Sequence, residues 1–244
     1  MDEPTNSLGT ASAVVERDRG ALTATPASHV SAATKHRLTA GGLAWGIKRI
    51  FDICLALMLL TIAGPIMLVC LILIALIDRQ RPFYIDERVG RSGWVFKCLK
   101  LRTLRPDPTL LAHYLSEEPQ EAARYRDSRK LVNDPRKTPL GAFLRKYSLD
   151  ETPQLLNVLL GQMSIIGPRP LAPHEWRARG EAARDLLLVK PGLTGLWQVS
   201  GRSDLTHDER VVYDSRYARN WTLLLDLKIL LQTPYVILTG RGAT

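Results

Sequence analysis

The chain has 244 residues, enough for one domain with appended segments. Hydrophobic residues make up 45% of it, so it can bury a core, and a formal net charge of +9 calls for an anionic partner: nucleic acid, a membrane surface or anionic small molecules. Cys54, Cys70 and Cys98 show neither metal-cage nor disulfide spacing, which argues against a disulfide-stapled secreted scaffold and for a reducing, cytosol-facing compartment.

Residues 1–43 are rich in Ala, Ser, Thr and Gly, without apolar periodicity, and are expected to form a disordered N-terminal extension. They lack the basic start and immediate apolar stretch of a secretory signal. Ile53 to Ile77 then runs without a charged residue, long enough for a membrane helix, which needs roughly 20 apolar residues. Lys48 and Arg49 precede it, and Arg79 and Arg81 follow. A single span should show a charge imbalance between its ends, yet both ends here are basic. Gly64-Pro65 sits near the middle, where proline removes a backbone donor and predicts a kink. Two readings fit: a helix that enters, bends and returns to the same face, or an ordinary kinked span. Asp52, at the apolar edge, should sit at headgroup depth or pair with Lys48 or Arg49.

Further along, residues 83–104 read as short strands around the turn Gly90-Arg91-Ser92-Gly93. Residues 109–131 predict an exposed, charged helix, Pro139 to Leu160 a second helical region, and residues 175–188 another charged helix. Pro191-Gly192 and Gly195 mark a turn-rich loop before Leu196-Trp197-Gln198-Val199. The tail from Trp221 to Leu238 is amphipathic to strongly apolar, with Trp221 and Tyr235 suited to an interface and Asp226 and Lys228 interrupting the run. The fold class is therefore α+β, predominantly helical, with interfacial amphipathic helices.

Basic residues cluster near turns and glycines: Arg88, Lys97, Lys100, Arg102, Arg145, Lys146, Arg169, Lys190 and Arg202. Arginine forks match phosphate oxygens two at a time. For any single one of these residues, a basic surface facing anionic lipid is the plainer reading. Arg169 differs, because Pro168 and Pro170 fix the backbone on both sides. Asp150 and Glu151 form an acidic pair five residues after Arg145. Adjacent carboxylates project about 100° apart on a helix, so both can border one site. Surrounded by positive charge, they are expected to stay ionised with depressed pKa values. An ionised aspartate can coordinate Mg²⁺ or attack phosphorus. The structural alternative is a capping box, with Ser148 as the cap and Glu151 three residues later. No nucleic-acid recognition motif is visible, so nucleic acid is not an expected partner.

The run Asn133-Asp134-Pro135-Arg136, Thr138-Pro139-Leu140-Gly141, Leu144-Arg145-Lys146, Ser148-Leu149-Asp150-Glu151, Pro153-Gln154, Asn157-Val158-Leu159, Gly161, Met163-Ser164 and Gly167-Pro168-Arg169-Pro170-Leu171 resembles the bacterial sugar transferase family. These are monotopic polyprenyl-phosphate phosphoglycosyl transferases. The run Lys190-Pro191-Gly192-Leu193-Thr194-Gly195-Leu196-Trp197-Gln198-Val199-Ser200-Gly201-Arg202 is similar to the family's second signature, and Lys48-Arg49, Phe51-Asp52 to its opening. The resemblance covers the chain from about Lys48 onward. Within the family it is most similar to the initiating hexose-1-phosphate transferases of exopolysaccharide synthesis.

The resemblance implies a re-entrant membrane helix over residues 44–80, broken at Gly64-Pro65, and a soluble catalytic domain over 81–244 on the cytoplasmic face of the bacterial inner membrane. It implies a UDP-sugar (galactose or glucose) as donor, polyprenyl (undecaprenyl) phosphate as acceptor, and UMP as product. Asp150 matches the family's nucleophile and Mg²⁺ ligand. Glu151 matches its partner in the dyad, orienting it or assisting deprotonation. Arg145, Arg169, Lys100, Arg102 and Arg202 are the expected phosphate-binding residues. Membrane lipid, a homo-oligomeric partner and downstream glycosyltransferases are the wider partners it implies. The chain departs from the family at Asp86, often Gln, at Leu101 and Leu104, often Phe and Met, and at Gly64, often Ser, which puts local packing and substrate fit in question. The rival readings are a non-catalytic membrane-tethered adaptor and a phosphohydrolase using the same acidic site.

Overall fold

The computed structural model describes residues 42–128 and 131–238, so nearly all of the expected N-terminal extension lies outside the described residues. It begins with α1 (Gly42–Leu76), a helix of 35 residues, long and apolar enough to cross a membrane. Leu57, Met58, Ile62, Ile66, Leu68, Val69 and Ile72 on it are exposed, which a soluble core helix would not allow. Helical backbone continues through Gly64-Pro65. Pro65 has no N–H to give, and one turn earlier the Thr61 hydroxyl donates to the Met58 carbonyl at 2.7 Å.

The strands predicted around residues 90–93 form as β1 (Phe83–Val89) and β2 (Val95–Leu101), a two-stranded ladder closed by a 3₁₀ turn at Arg91–Gly93. The long helices expected beyond them are shorter than local pattern suggests. The 109–131 region divides into α2 (Pro108–Glu117) and α3 (Pro119–Ser128), each with proline at its first position. The region 139–160 divides into α4 (Pro139–Lys146), a 3₁₀ turn at Leu149–Glu151 and α5 (Gln154–Leu159). The break comes from Ser148, whose φ of 55° is left-handed, and from Pro153. Ser148 therefore does not cap: its side chain makes no capping bond, and the capping-box reading of Glu151 is wrong. The expected helix over 175–188 likewise splits at Gly180, with φ of 49°, into α6 (Pro173–Arg179) and a 3₁₀ segment over Gly180–Leu188. The remaining elements are β3 (Ser164–Ile166), β4 (Gly192–Thr194), α7 (Leu196–Ser200), α8 (His207–Arg219) and α9 (Leu223–Leu238).

The chain gathers into two compact units. Among the described residues, one comprises those up to Ala56, Glu87–Lys97 and those from Val158; the other comprises those of Leu57–Asp86 and Cys98–Asn157. In the first, β3 and β4 pair in parallel, Ser164 with Gly192 and Ile166 with Thr194. The backbones approach so closely there that a side chain on Gly192 would overlap Gly167. Leu171, Ala183, Leu186 and Val211 form a core beside them, with Trp176 against it. In the second unit, Cys70, Ile74, Leu101 and Leu144 are the core. Thr138 starts α4 there: its Oγ1 accepts from Gly141 N–H at 2.9 Å and donates to Asp78 Oδ2 at 2.8 Å.

The first turns of α1 are tied into the first unit by buried polar groups. Lys48, only 5% exposed, lies 2.8 Å from Asp226 and 3.5 Å from Asp52. Asp52 Oδ1 accepts from the Ser164 hydroxyl at 2.9 Å and from Ile165 N–H at 3.0 Å. Asp226 accepts from the Tyr217 hydroxyl at 2.6 Å and from Trp221 Nε1 at 3.1 Å. The expected pairing of Asp52 with Lys48 thus forms, and Asp226 is the second anion that sequence proximity does not reveal.

Candidate functional site

The acidic pair occupies the 3₁₀ turn Leu149–Glu151, held out from α4 by the left-handed Ser148. Two cations of the same unit act on it. Lys100, near the end of β2, places Nζ 3.0 Å from Glu151 Oε1. Arg145, in the last turn of α4, donates from Nε to Thr103 Oγ1 at 2.8 Å, which steadies the base of its fork. Its terminal nitrogens have no partner among the described residues. Asp134 and Arg136 make a bidentate pair at 2.9 and 2.7 Å, and this fork holds the Asp134 carboxyl low against the burial that pushes it up.

Asp150 is not held low. Burial and the neighbouring Glu151 carboxylate push its pKa up to about 6, outweighing the opposite pull of Lys100 and Arg145. The expected depressed carboxylate is thus corrected: Lys100 is spent on Glu151, and burial is the larger effect on Asp150. At neutral pH Asp150 is still mostly ionised, but as a carboxylate short of compensating charge. Such an oxygen suits a cation or an electrophilic phosphorus. Among the described residues no three His, Cys, Asp or Glu side chains gather as a closed metal cage. Mg²⁺ does not need one, since it is commonly held by one or two carboxylates and completes its shell with substrate phosphates and water. Asp150 with Glu151 fits that donor set.

The other expected phosphate ligands make the following contacts. Arg102 donates to the carbonyls of Arg81 at 2.9 Å and Phe83 at 3.3 Å, so it ties β2 to the start of β1. Arg202, at φ of 51°, donates to the Val236 carbonyl at 3.2 Å in the first unit. Arg169 is also in the first unit, on a clamped loop. Its N–H donates to Asp214 Oδ2 at 3.1 Å, and the next carbonyl, of Pro170, accepts from Arg88 at 3.0 Å. The Arg169 guanidinium has no hydrogen-bond partner among the described residues. Asp214 is 2% exposed, and burial pushes its pKa up to about 7, eased by the Arg169 N–H and charge. Burial also acts on Glu175, but the Ala172 N–H and the charges of Arg169, Arg88 and Arg179 hold it below the usual range. Sequence reasoning missed Asp214 and Glu175. Asp214 carried a signal: it shares one face of α8 with buried Val211 and Ala218, a position where a carboxylate needs a reason.

An acidic pair after a left-handed residue, with a lysine and an arginine acting on it, is the arrangement that the sequence led one to expect for an anionic substrate. The chain matches the bacterial sugar transferase family over residues 43–240 and belongs to it; it is a transferase. It is similar to the exopolysaccharide production protein ExoY of Sinorhizobium fredii, at 42% identity over 197 residues, 80% of this chain and 87% of that one. It is 44% identical over 198 residues to an undecaprenyl-phosphate galactose phosphotransferase of Salmonella typhimurium, covering 81% of this chain but 41% of that protein. It is 36% identical over 198 residues to an undecaprenyl-phosphate glucose phosphotransferase of Komagataeibacter xylinus, covering 76% of this chain and 35% of that one.

Proposed function

We propose that this chain transfers a sugar-1-phosphate from a UDP-sugar, galactose or glucose, to polyprenyl phosphate and releases UMP, as the first membrane step of exopolysaccharide synthesis. The names of the relatives support the donor, the acceptor and the process. The observation that carries the chemistry is Asp150, a half-buried carboxylate whose pKa is pushed up to about 6 by burial and Glu151, against the charges of Lys100 and Arg145. An Asp150 oxygen attacks the phosphorus that bears the sugar. The bond from that phosphorus to the UMP oxygen breaks, UMP leaves with the electron pair, and a phosphosugar ester of Asp150 remains. An oxygen of polyprenyl phosphate then attacks the same phosphorus and displaces the carboxylate. Covalent catalysis divides one crowded encounter into two steps. Arg145, whose terminal nitrogens have no partner among the described residues, binds the phosphate oxygens, and Lys100 orients Glu151. Arg169 is a phosphate ligand on the family resemblance. Mg²⁺ held by Asp150 would offset the charge repulsion between an anionic nucleophile and a phosphate. We further propose that α1 is re-entrant at Gly64-Pro65, with residues 81–244 on the cytoplasmic face. A homo-oligomeric partner and downstream glycosyltransferases complete the proposal.

The test is Asp150→Asn with UDP-galactose, UDP-glucose, polyprenyl phosphate and Mg²⁺. UMP release should fall at least a thousandfold, and sugar phosphate should cease to reach the lipid fraction. Full turnover by the variant would remove Asp150 from the role of nucleophile. Sugar phosphate appearing in water instead of lipid, with the parent protein, would make the enzyme a phosphohydrolase. Cysteine labelling on both sides of Gly64-Pro65 tests the anchor: labelling of the N-terminal side from outside the cell would rule out re-entry.

A further inference from the structure

Lys190 is a residue of the second signature motif that the proposed chemistry does not use. It stands two residues before β4, partly buried, and its ammonium makes no hydrogen bond or ion pair with any described residue. Its surroundings are cationic. Arg49 crosses the loop after α5, donating to the Val158 carbonyl at 2.6 Å and the Leu159 carbonyl at 2.8 Å. Both charges converge on Gly161: a side chain there would stand 3.4 Å from Arg49 Nη2 and 3.5 Å from Lys190 Nζ. Gly161 has φ of +80°, so the position both requires glycine and leaves the space open. Burial lowers the Lys190 pKa, and the charges of Arg49, Arg91 and Lys48 add to that, with Asp52 pulling the other way. Asp52 is already shared among Lys48, Ser164 and Ile165, so it leaves Lys190 unpaired. A half-buried ammonium among guanidinium groups either gives up its proton or gains from an anion beside it, and the space over Gly161 admits one.

The neighbouring groups indicate where that anion comes from. The Arg91 guanidinium lies over the Trp45 ring at 5.4 Å, and Trp45 stacks on Trp221 with centroids 3.7 Å apart. Trp94, on the same hairpin turn as Arg91, is 58% exposed, and Leu160, next to Gly161, is 69% exposed. Arg49 precedes the first residue of the uncharged stretch, Ile53, by one helical turn. Tryptophans concentrate at the level of lipid headgroups, and exposed leucine beside them suits the acyl boundary. We propose that Lys190, Arg49 and Arg91 form a binding site for the phosphate of an anionic phospholipid headgroup, cradled at Gly161. The site holds the first unit at headgroup depth, and no step of the chemistry proposed for Asp150 uses these residues.

The full chain in neutral detergent micelles is titrated with dihexanoyl-phosphatidylglycerol, dihexanoyl-phosphatidylcholine or inorganic phosphate, and the midpoint of thermal unfolding is followed. Phosphatidylglycerol should raise the midpoint saturably, and phosphatidylcholine should not. Lys190→Ala should weaken the phosphatidylglycerol response about fivefold or more, as expected for one basic residue at an anionic lipid. Lys190→Arg should restore it, and Arg126→Ala, an exposed position of the other unit, should leave it at the parent value. The lipid-free midpoint reports the fold of each variant. Should Lys190→Ala fail to fold, Arg91→Ala on the exposed turn must show the weakened response for the site to stand. An unchanged response in the folded Lys190→Ala protein, or equal responses to the two lipids, would overturn the site. Equal protection by inorganic phosphate at the same concentration would overturn the lipid assignment in favour of a soluble phosphate.

Discussion

The raised carboxyl of Asp150 makes a prediction about stability that is independent of any substrate. An aspartate titrates near 3.9 in an unfolded chain. In the folded protein Asp150 titrates at about 6. Its folded pKa is raised, so folding favours the protonated form. The contribution of this side chain to stability is full below about pH 4 and is lost as pH rises through about 6. Two pKa units correspond to about 3 kcal/mol, and partial contact with solvent reduces this to roughly 2 kcal/mol at pH 8. Asp150→Asn keeps the shape and cannot ionise. It should therefore be inactive yet more stable than the parent by roughly 2 kcal/mol at pH 8, with the difference fading towards zero near pH 4. The assay is urea unfolding in neutral detergent with a chelator, at intervals between pH 4 and 8. Asp214 also titrates in this range, but it is common to both proteins and cancels in the difference. Equal stabilities at pH 8, or a difference that does not change with pH, would refute the account of how burial acts on this carboxyl.

Two further substitutions test the framework that carries the sites. Asp226→Asn removes the anion 2.8 Å from Lys48 and leaves a buried ammonium with Asp52, at 3.5 Å, as its anion among the described residues. A loss of about 3 kcal/mol in unfolding free energy is expected, and a loss below about 1 kcal/mol would show that the pair is not the anchor of α1. Gly141→Ala would drive a methyl group into the carbonyl of Thr103, where backbone and not a flexible side chain stands in the way. It should cost about 2 kcal/mol or more, seen as a lower thermal midpoint, and parent-like melting would show that α4 has room to shift.

Much of this was visible in the chain of residues. The uncharged stretch of α1, the hairpin around Gly90–Gly93 and the interrupted apolar run of α9 are local patterns, and they formed where periodicity placed them. The helical regions after residue 108 were drawn too long. Ser148 and Pro119 sit inside windows whose composition favours helix, and Gly180 is only weakly disfavoured there. The backbone angles that end these helices are chosen by packing on distant elements, which no window of neighbours contains. Asp52 showed the same limit from the other side: its partner one turn away was predicted, whereas Asp226 lies far along the chain.

Sequence alone determined that an acidic pair at Asp150-Glu151 sits among basic residues in a chain with a long apolar segment, because motif spacing and hydrophobic runs are written residue by residue. Only the tertiary structure decided which cations reach the pair. Lys100 and Arg145 do, whereas Arg102 turns to the carbonyls of Arg81 and Phe83. It also reversed the expected charge behaviour of Asp150. A pKa depends on how much water and which charges surround the group, and both are set only when the chain has folded.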